Sequence, residues 1–161
     1  MPEIVRVGMA ELKTAKAPDK IVTLGLGSCI GVCAYDAISK IGGMVHVMLP
    51  DSSLAIESTN PAKFADTGVP LLLQELKQQG VITIENIIIK IVGGAEMFAA
   101  SSKDTHLGVG ARNILAVEET CQELNLTISA KSVGGNAGKS ITLNLETGIV
   151  EVKSMNTIFV L

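Results

Sequence analysis

The sequence predicts an α+β fold with helices layered on a mostly antiparallel sheet. Three observations carry this. Short β-branched runs alternate with glycine turns through the first half of the chain. Two later segments space their apolar residues at helical period. The order of strands, helix, strand, helix and strands lacks the regular βαβ alternation of a parallel sheet. A chain of 161 residues can bury a real core, no linker divides it and no internal repeat stands out, so residues 1–161 read as a single domain.

Ile4 to Val7, Ile21 to Leu26, Ile30 to Tyr35 and Ile41 to Leu49 read as strands, with a turn at Asp36 to Lys40 between the last two. Asn60-Pro61 opens a helix, because proline suits the first helical position. Phe64, Gly68, Leu71, Leu72 and Leu76 share one face of it, and Gly80 stops it. Pro70 removes a backbone donor, so a kink near Gly68 or a fresh start at Pro70 is expected. Ile87 to Val92 is the most apolar run and reads as a central strand, and Gly93 to Ser102 has room for one short helix. Gly110 to Leu124 is the second amphipathic helix, with Ile114, Val117, Cys121 and Leu124 facing inward. Leu126 to Ala130, Ser140 to Leu145, Ile149 to Lys153 and Thr157 to Leu161 close the chain as strands, with a hairpin turn at Glu146-Thr147-Gly148.

Composition narrows the function. Apolar residues make up 47% and charged residues 18%, which excludes a disordered or fibrous chain. With three Phe, one Tyr and no Trp, the core must come from aliphatic side chains and Met. The net charge of -3 shows no basic stripe of the kind that nucleic-acid binders carry. Three cysteines make a poor disulfide framework and fit reduced thiols. Met1 to Ala10 has no apolar signal region, and no apolar stretch is long enough to span a bilayer. A soluble cytoplasmic protein without membrane insertion is the expectation.

Thr23 to Cys33 reads TLGLGSCIGVC. Gly25 and Gly27 let the backbone turn sharply and expose its N–H groups ahead of Cys29, a setting in which amides can bind a developing oxyanion. A glycine bulge beside a buried thiol explains the same residues without any chemistry, and on position alone it is the simpler reading. Ile30 stands where a dinucleotide fingerprint needs its third glycine. His46 is the one polar residue of an apolar run, where a histidine is more often structural than catalytic. It is also one hairpin from Cys29, and a Cys–His pair is the minimum for thiol catalysis. His106 lies in a polar loop and reads as solvated surface. No CxxC or HxxxH spacing supports a metal site at Cys29, His46 and His106. Cys33 and Cys121 read as small core residues; even spacing puts Cys33 on the face of Cys29 only if no turn intervenes. Gly138-Lys139-Ser140 matches the end of a P-loop, but Val133 stands in place of its first glycine, and a strand follows.

The combination is specific. TLGLGSC at Thr23 to Cys29, HVMLPDS at His46 to Ser52, KFADTGVPLLLQEL at Lys63 to Leu76, GGAEMF at Gly93 to Phe98, GARN at Gly110 to Asn113 and GGNAGKS at Gly134 to Ser140 occur in that order. Together they resemble the CheD family of bacterial chemoreceptor glutamine deamidases, over about Ile4 to Val152. Lys139 stands where Arg is common in the family. The resemblance implies a layered α/β sandwich similar to the deamidating domain of the cytotoxic necrotizing factor toxins. It implies hydrolysis of selected Gln side chains on methyl-accepting chemotaxis receptors to Glu and ammonia, with no metal or organic cofactor. Cys29 matches the family's nucleophile, His46 its base and Thr23 its third member. A CheC-type phosphatase is the implied second partner.

Within that reading Cys29 attacks the amide carbon, His46 moves the protons, and Thr23 orients the imidazole. The amides near Gly27 and Ser28 are the candidate oxyanion donors, and Pro50, Asp51, Gly135 and Asn136 are candidate groove residues. A groove for a receptor helix should be shallow and open. The competing reading is a binding adapter that regulates a CheC-type phosphatase with little catalysis of its own. Hydrolysis of receptor Glu methyl esters is chemically close and stays open.

Overall fold

The computed structural model describes residues 2–55, 60–96 and 108–161. Ten strands and two long helices are present among them: β1 Ile4–Arg6, β2 Leu12–Lys16, β3 Lys20–Leu26, β4 Ile30–Asp36, β5 Ile41–Val47, α1 Ala65–Gln79, β6 Ile88–Gly93, α2 Val109–Glu123, β7 Thr127–Val133, β8 Lys139–Asn144, β9 Val150–Ser154 and β10 Thr157–Val160. The α+β class is as expected, but the single sheet is not. The strands form two five-stranded sheets, ordered β1-β3-β8-β9-β10 and β2-β5-β4-β6-β7. Pairing is antiparallel except at β1–β3 and β6–β7.

Two cores separate three layers. Ile30, Val32 and Ala34 of β4 and Val45 and Val47 of β5 pack with Leu72 and Leu76 of α1 and Val117 and Cys121 of α2. The opposite faces of the same strands meet the other sheet: Cys33, Tyr35 and Met44 pack with Ile21 and Leu26 of β3, Ile141 and Leu143 of β8, and Val150 and Val152 of β9. Every residue of β4 and β5 is therefore buried. That explains why these two strands read as continuous apolar runs instead of an in–out alternation.

Two expectations need correction. Pro70 does not restart its helix: α1 runs unbroken from Ala65 to Gln79 with Pro70 inside. Only the Asp66 carbonyl loses its donor there, and burial of Leu72, Leu73 and Leu76 outweighs that loss. The start at Asn60-Pro61 is real but belongs to a separate 3-10 turn, Pro61–Lys63, capped by the Asn60 side chain. The strand β2 was not expected at all. Its sequence, LKTAK, is charged and half-exposed because it forms a sheet edge, where lysines discourage further pairing. The remaining boundaries shift by a residue or two, apart from β7, which runs on to Val133. The short helix expected within Gly93 to Ser102 falls largely on 97–107, outside the described residues.

Leu72 sits at the centre of the helix-side core, fully buried, and packs so closely on β5 that a Cβ at Gly43 would lie 2.7 Å from its methyl group. Leu72→Ala should cost about 2–5 kcal/mol in urea unfolding. A loss below about 1 kcal/mol would show that α1 is not locked to the sheet as described.

Candidate active site

β3 lies in one sheet and β4 in the other, so residues 27–29 cross from sheet to sheet. β3 ends in a bulge between Thr23 and Leu26, with Gly25 at φ +69°. The crossing itself is held by its carbonyls. Gly27 O accepts from the Ala95 N–H at 2.9 Å, Ser28 O from the Asn113 side-chain amide at 2.8 Å, and Cys29 O from the Gly94 N–H at 2.9 Å. Two of these donors follow β6 directly, and this fit requires glycine at its last residue. Gly93 has φ +124°, and a Cβ there would collide with the Cys29 carbonyl.

His46 pairs across β5 with Gly31 of β4. The Cys29 carbonyl continues the ladder between β4 and β6, and Cys29 packs against the inter-sheet core, as Cys33 does. Residues 27–29 form a bend, so strand register fixes only Cys33 as a diagonal neighbour of His46, while Cys29 precedes β4 on the same inter-sheet side. Diagonal neighbours on one sheet face lie about 7–8 Å apart, within reach of an imidazole and a thiol. Gly31 leaves the space between them open, and Thr23, Leu26 and Ile141 of the other sheet fill it: a Cβ at Gly31 would lie 2.8 Å from the Ile141 methyl.

Thr23 reaches across this gap. Its Oγ1 lies 2.7 Å from His46 Nδ1 and 2.7 Å from the Val7 carbonyl. A carbonyl can only accept, so the threonine proton goes to Val7. Oγ1 must then accept from Nδ1–H. The network thus assigns the tautomer: the proton sits on Nδ1, and Nε2 carries the free lone pair. Nε2 is buried and has no hydrogen-bond partner among the described residues. Burial pushes the imidazole below its ordinary value, so it is neutral at neutral pH. Burial also pushes the Cys29 thiol up, partly offset by its own backbone N–H. At rest the two groups are a neutral thiol and a neutral base. Cys33, fully buried, is pushed up to about 12, and Cys121 to about 11. Cys29 is the only thiol not fully buried.

A family model described as CheD chemotactic sensory transduction matches residues 48–154. A protein of Clostridium tetani named "Probable chemoreceptor glutamine deamidase CheD" is 47% identical over 93% of this chain and 90% of its own length. Relatives of the same name in Syntrophomonas wolfei and Lachnoclostridium phytofermentans are 44% and 46% identical, each over 96% of both chains. The chain belongs to the CheD family. The names of those CheD relatives are those of enzymes. The family match begins two residues past His46, while the relatives' alignments extend across Thr23, Cys29 and His46.

The other expected CheD residues flank the crossing. Met48, at the β5 exit, shares the Asn113 amide with Ser28, at 3.0 Å. Pro50 and Asp51 follow it and border a cleft of about 380 Å³ with Arg112, Leu115 and Glu119 of α2. On the opposite side the Gly134 N–H donates to Gly93 O and the Glu96 N–H to Gly135 O, both at 2.9 Å, which ties the Gly134-Gly135-Asn136 loop to the β6 exit. Gly27 and Ser28 lie in the crossing; among the described residues nothing accepts from their amides. His106, Met97 and Phe98 fall outside the described residues. Among the described residues no cluster of His, Cys, Asp or Glu could hold a metal ion, and no helix is long and apolar enough to cross a membrane. Sequence reading missed Asn113 as a site residue. The structure places it, with Thr120, among the buried polar residues of α2, beside Gly110, Val117 and Cys121.

His46 makes a pH prediction. Its ordinary value is 6.5, and the folded value is lower. As pH falls, the unfolded chain takes up the proton first. Stability is therefore intact above the ordinary value and declines as pH drops toward the lowered one. His46→Gln removes this group. Urea unfolding from neutral pH to about pH 5 should show a smaller loss for His46→Gln than for the unaltered chain, and equal losses would show that His46 is not held neutral.

Proposed function

We propose that this chain hydrolyses selected Gln side chains of chemoreceptors to Glu and ammonia, with Cys29 as nucleophile, His46 as base and Thr23 as the group that orients it. The observation that carries the reading is the Val7–Thr23–His46 hydrogen-bond chain. It leaves Nε2 as the bare lone pair of an imidazole on β5, the strand paired with β4, whose entry carries the one thiol that is not fully buried. The curated names of the relatives supply the substrate.

The chemistry follows from two neutral partners. As the Cys29 sulfur bonds to the amide carbon, Nε2 takes the thiol proton, so charge develops only during attack. The oxyanion is met by the Gly27 and Ser28 amides, fixed in place by the anchored carbonyls of the crossing. The imidazolium gives its proton to the leaving nitrogen, and ammonia departs from a thioester. Nε2 then draws a proton from water as the oxygen attacks, and the acid is released with the thiol restored. Thr23 accepts from Nδ1–H throughout, which holds the tautomer and steadies the imidazolium. No step calls for a metal or organic cofactor.

Several finer points belong to the same proposal. Residues 1–161 act as one cytoplasmic domain, similar to the deamidating domain of the cytotoxic necrotizing factor toxins. Pro50 and Asp51 on one side, and Gly135 and Asn136 on the other, form the walls of a shallow groove for a receptor helix. A CheC-type phosphatase competes for that groove. The adapter reading, in which such a phosphatase is regulated without catalysis, has less support, because binding alone does not require the buried Thr23–His46 bond.

Intact-mass analysis of a receptor cytoplasmic fragment tests the activity: each Gln converted replaces NH₂ with OH. Cys29→Ala should abolish the mass gain in a folded protein, while Cys33→Ala and Cys121→Ala keep it. Activity surviving in folded Cys29→Ala would end this mechanism. His46→Ala should lower kcat by about 10²–10⁴-fold. Activity should fall on acidification only below the ordinary His value of 6.5, since the neutral imidazole is the working form. Free glutamine should react far more slowly than the receptor fragment at equal concentration; similar rates would make this a small-molecule amidase.

A further inference from the structure

We infer that Asn113 is a positioning residue of the candidate site, clamping the segment that carries Cys29 to the strand that carries His46. Its side chain is fully buried, on α2, a third element beyond those that supply the pair. One N–H of its amide donates to Ser28 O at 2.8 Å, immediately before Cys29. The other donates to Met48 O at 3.0 Å, two residues past His46. Both acceptors are carbonyls, so the orientation of the amide is settled: nitrogen toward the site backbone, oxygen away.

Regular pairing does not supply this link. β4 begins at Ile30 and β5 ends at Val47, so Ser28 and Met48 lie just beyond the ladder that joins the two strands. Asn113 carries the connection past the end of the sheet, where the thiol must meet the imidazole. Its cost shows that packing alone does not account for it. Oδ1 is buried without a partner among the described residues, which an apolar side chain would avoid.

The rest of α2 is built to deliver this residue. Gly110, one turn earlier, lets the helix press against the β6 exit; a Cβ there would lie 2.5 Å from Gly94 O and 2.6 Å from Ala95 O. Glu96 accepts from the Ala111 N–H at 3.0 Å and fixes the first helical turn. The same short segment binds the crossing through Gly94 and Ala95. A shift of α2 is therefore transmitted directly to Ser28.

The inference rests on the Cys29–His46 reading, and the test separates the two. Asn113→Leu keeps the branching at Cγ and removes both donors. It should lower kcat on the receptor fragment by about 100-fold with little change in KM, as expected when reacting groups are misplaced by about 1 Å. It should also slow iodoacetamide labelling of Cys29, but add nothing to the slowing in His46→Ala, because the pair it aligns is already broken there. A general loosening would change labelling in both backgrounds. Folded Asn113→Leu with unchanged kcat, or with the same effect on labelling in both backgrounds, overturns the inference. Activity retained in Cys29→Ala would instead sink the reading beneath it. The unaltered chain gives a check that does not depend on a folded variant: the Asn113 side-chain amide protons should exchange as slowly as the β4 backbone amides, and rapid exchange would rule out the clamp.

Discussion

A buried hydrogen bond runs between the two sheets from His46 Nδ1 on β5 to Thr23 Oγ1 on β3. It can form only because Gly31, opposite His46, has no side chain, which lets Thr23 and Ile141 come in over β4. It is directional only because Val7 takes the threonine proton. A backbone carbonyl on the first strand's exit thus decides which nitrogen of a histidine on another sheet can act as a base. The inter-sheet core, the glycine gap and the imidazole tautomer are parts of a single arrangement.

The second constraint is on the thiol. Cys33 is diagonal to His46 by strand register, and Cys29 sits just before β4 on the same inter-sheet side. They differ in where the sheet ends. Cys33 lies inside β4 under the opposing sheet, where desolvation leaves it an inert thiol. Cys29 lies one residue before the strand begins, so the covering layer stops short and leaves the sulfur half-open. Exposure of the thiol is decided by distance from the strand end, and the backbone anchors at Gly27, Ser28 and Cys29 hold that end in place.

Much of this was legible in the residues. The strands from Ile21 to Val47 and both helices were marked by β-branched runs, apolar period and glycine stops. Cys29 and His46 stood out as a thiol after a glycine turn and a polar residue in an apolar strand. The division into two sheets was not legible, because the doubly buried β4 and β5 look the same whether a helix or a second sheet covers each face. β2 was hidden because an edge strand is selected for charge and not for apolar pattern. Pro70 misled because local donor loss is a small effect beside the burial of one helix face. Asn113 was hidden because its partners are two backbone carbonyls distant in sequence, and no side-chain pattern records where a carbonyl will be left without a donor.

The order β1-β3-β8-β9-β10 seats the third strand of the chain directly against the eighth. Thr23, Cys29 and His46 all belong to the first third of the sequence, yet Ile141 of β8 closes over the Gly31 gap beside them. A chain whose β8 is not yet made holds Thr23, Cys29 and His46 but not the strand whose Ile141 closes over the gap. The Gly31 gap beside His46 is therefore closed only when strands from the far end of the chain dock, a contact of long sequence separation that local structure cannot supply.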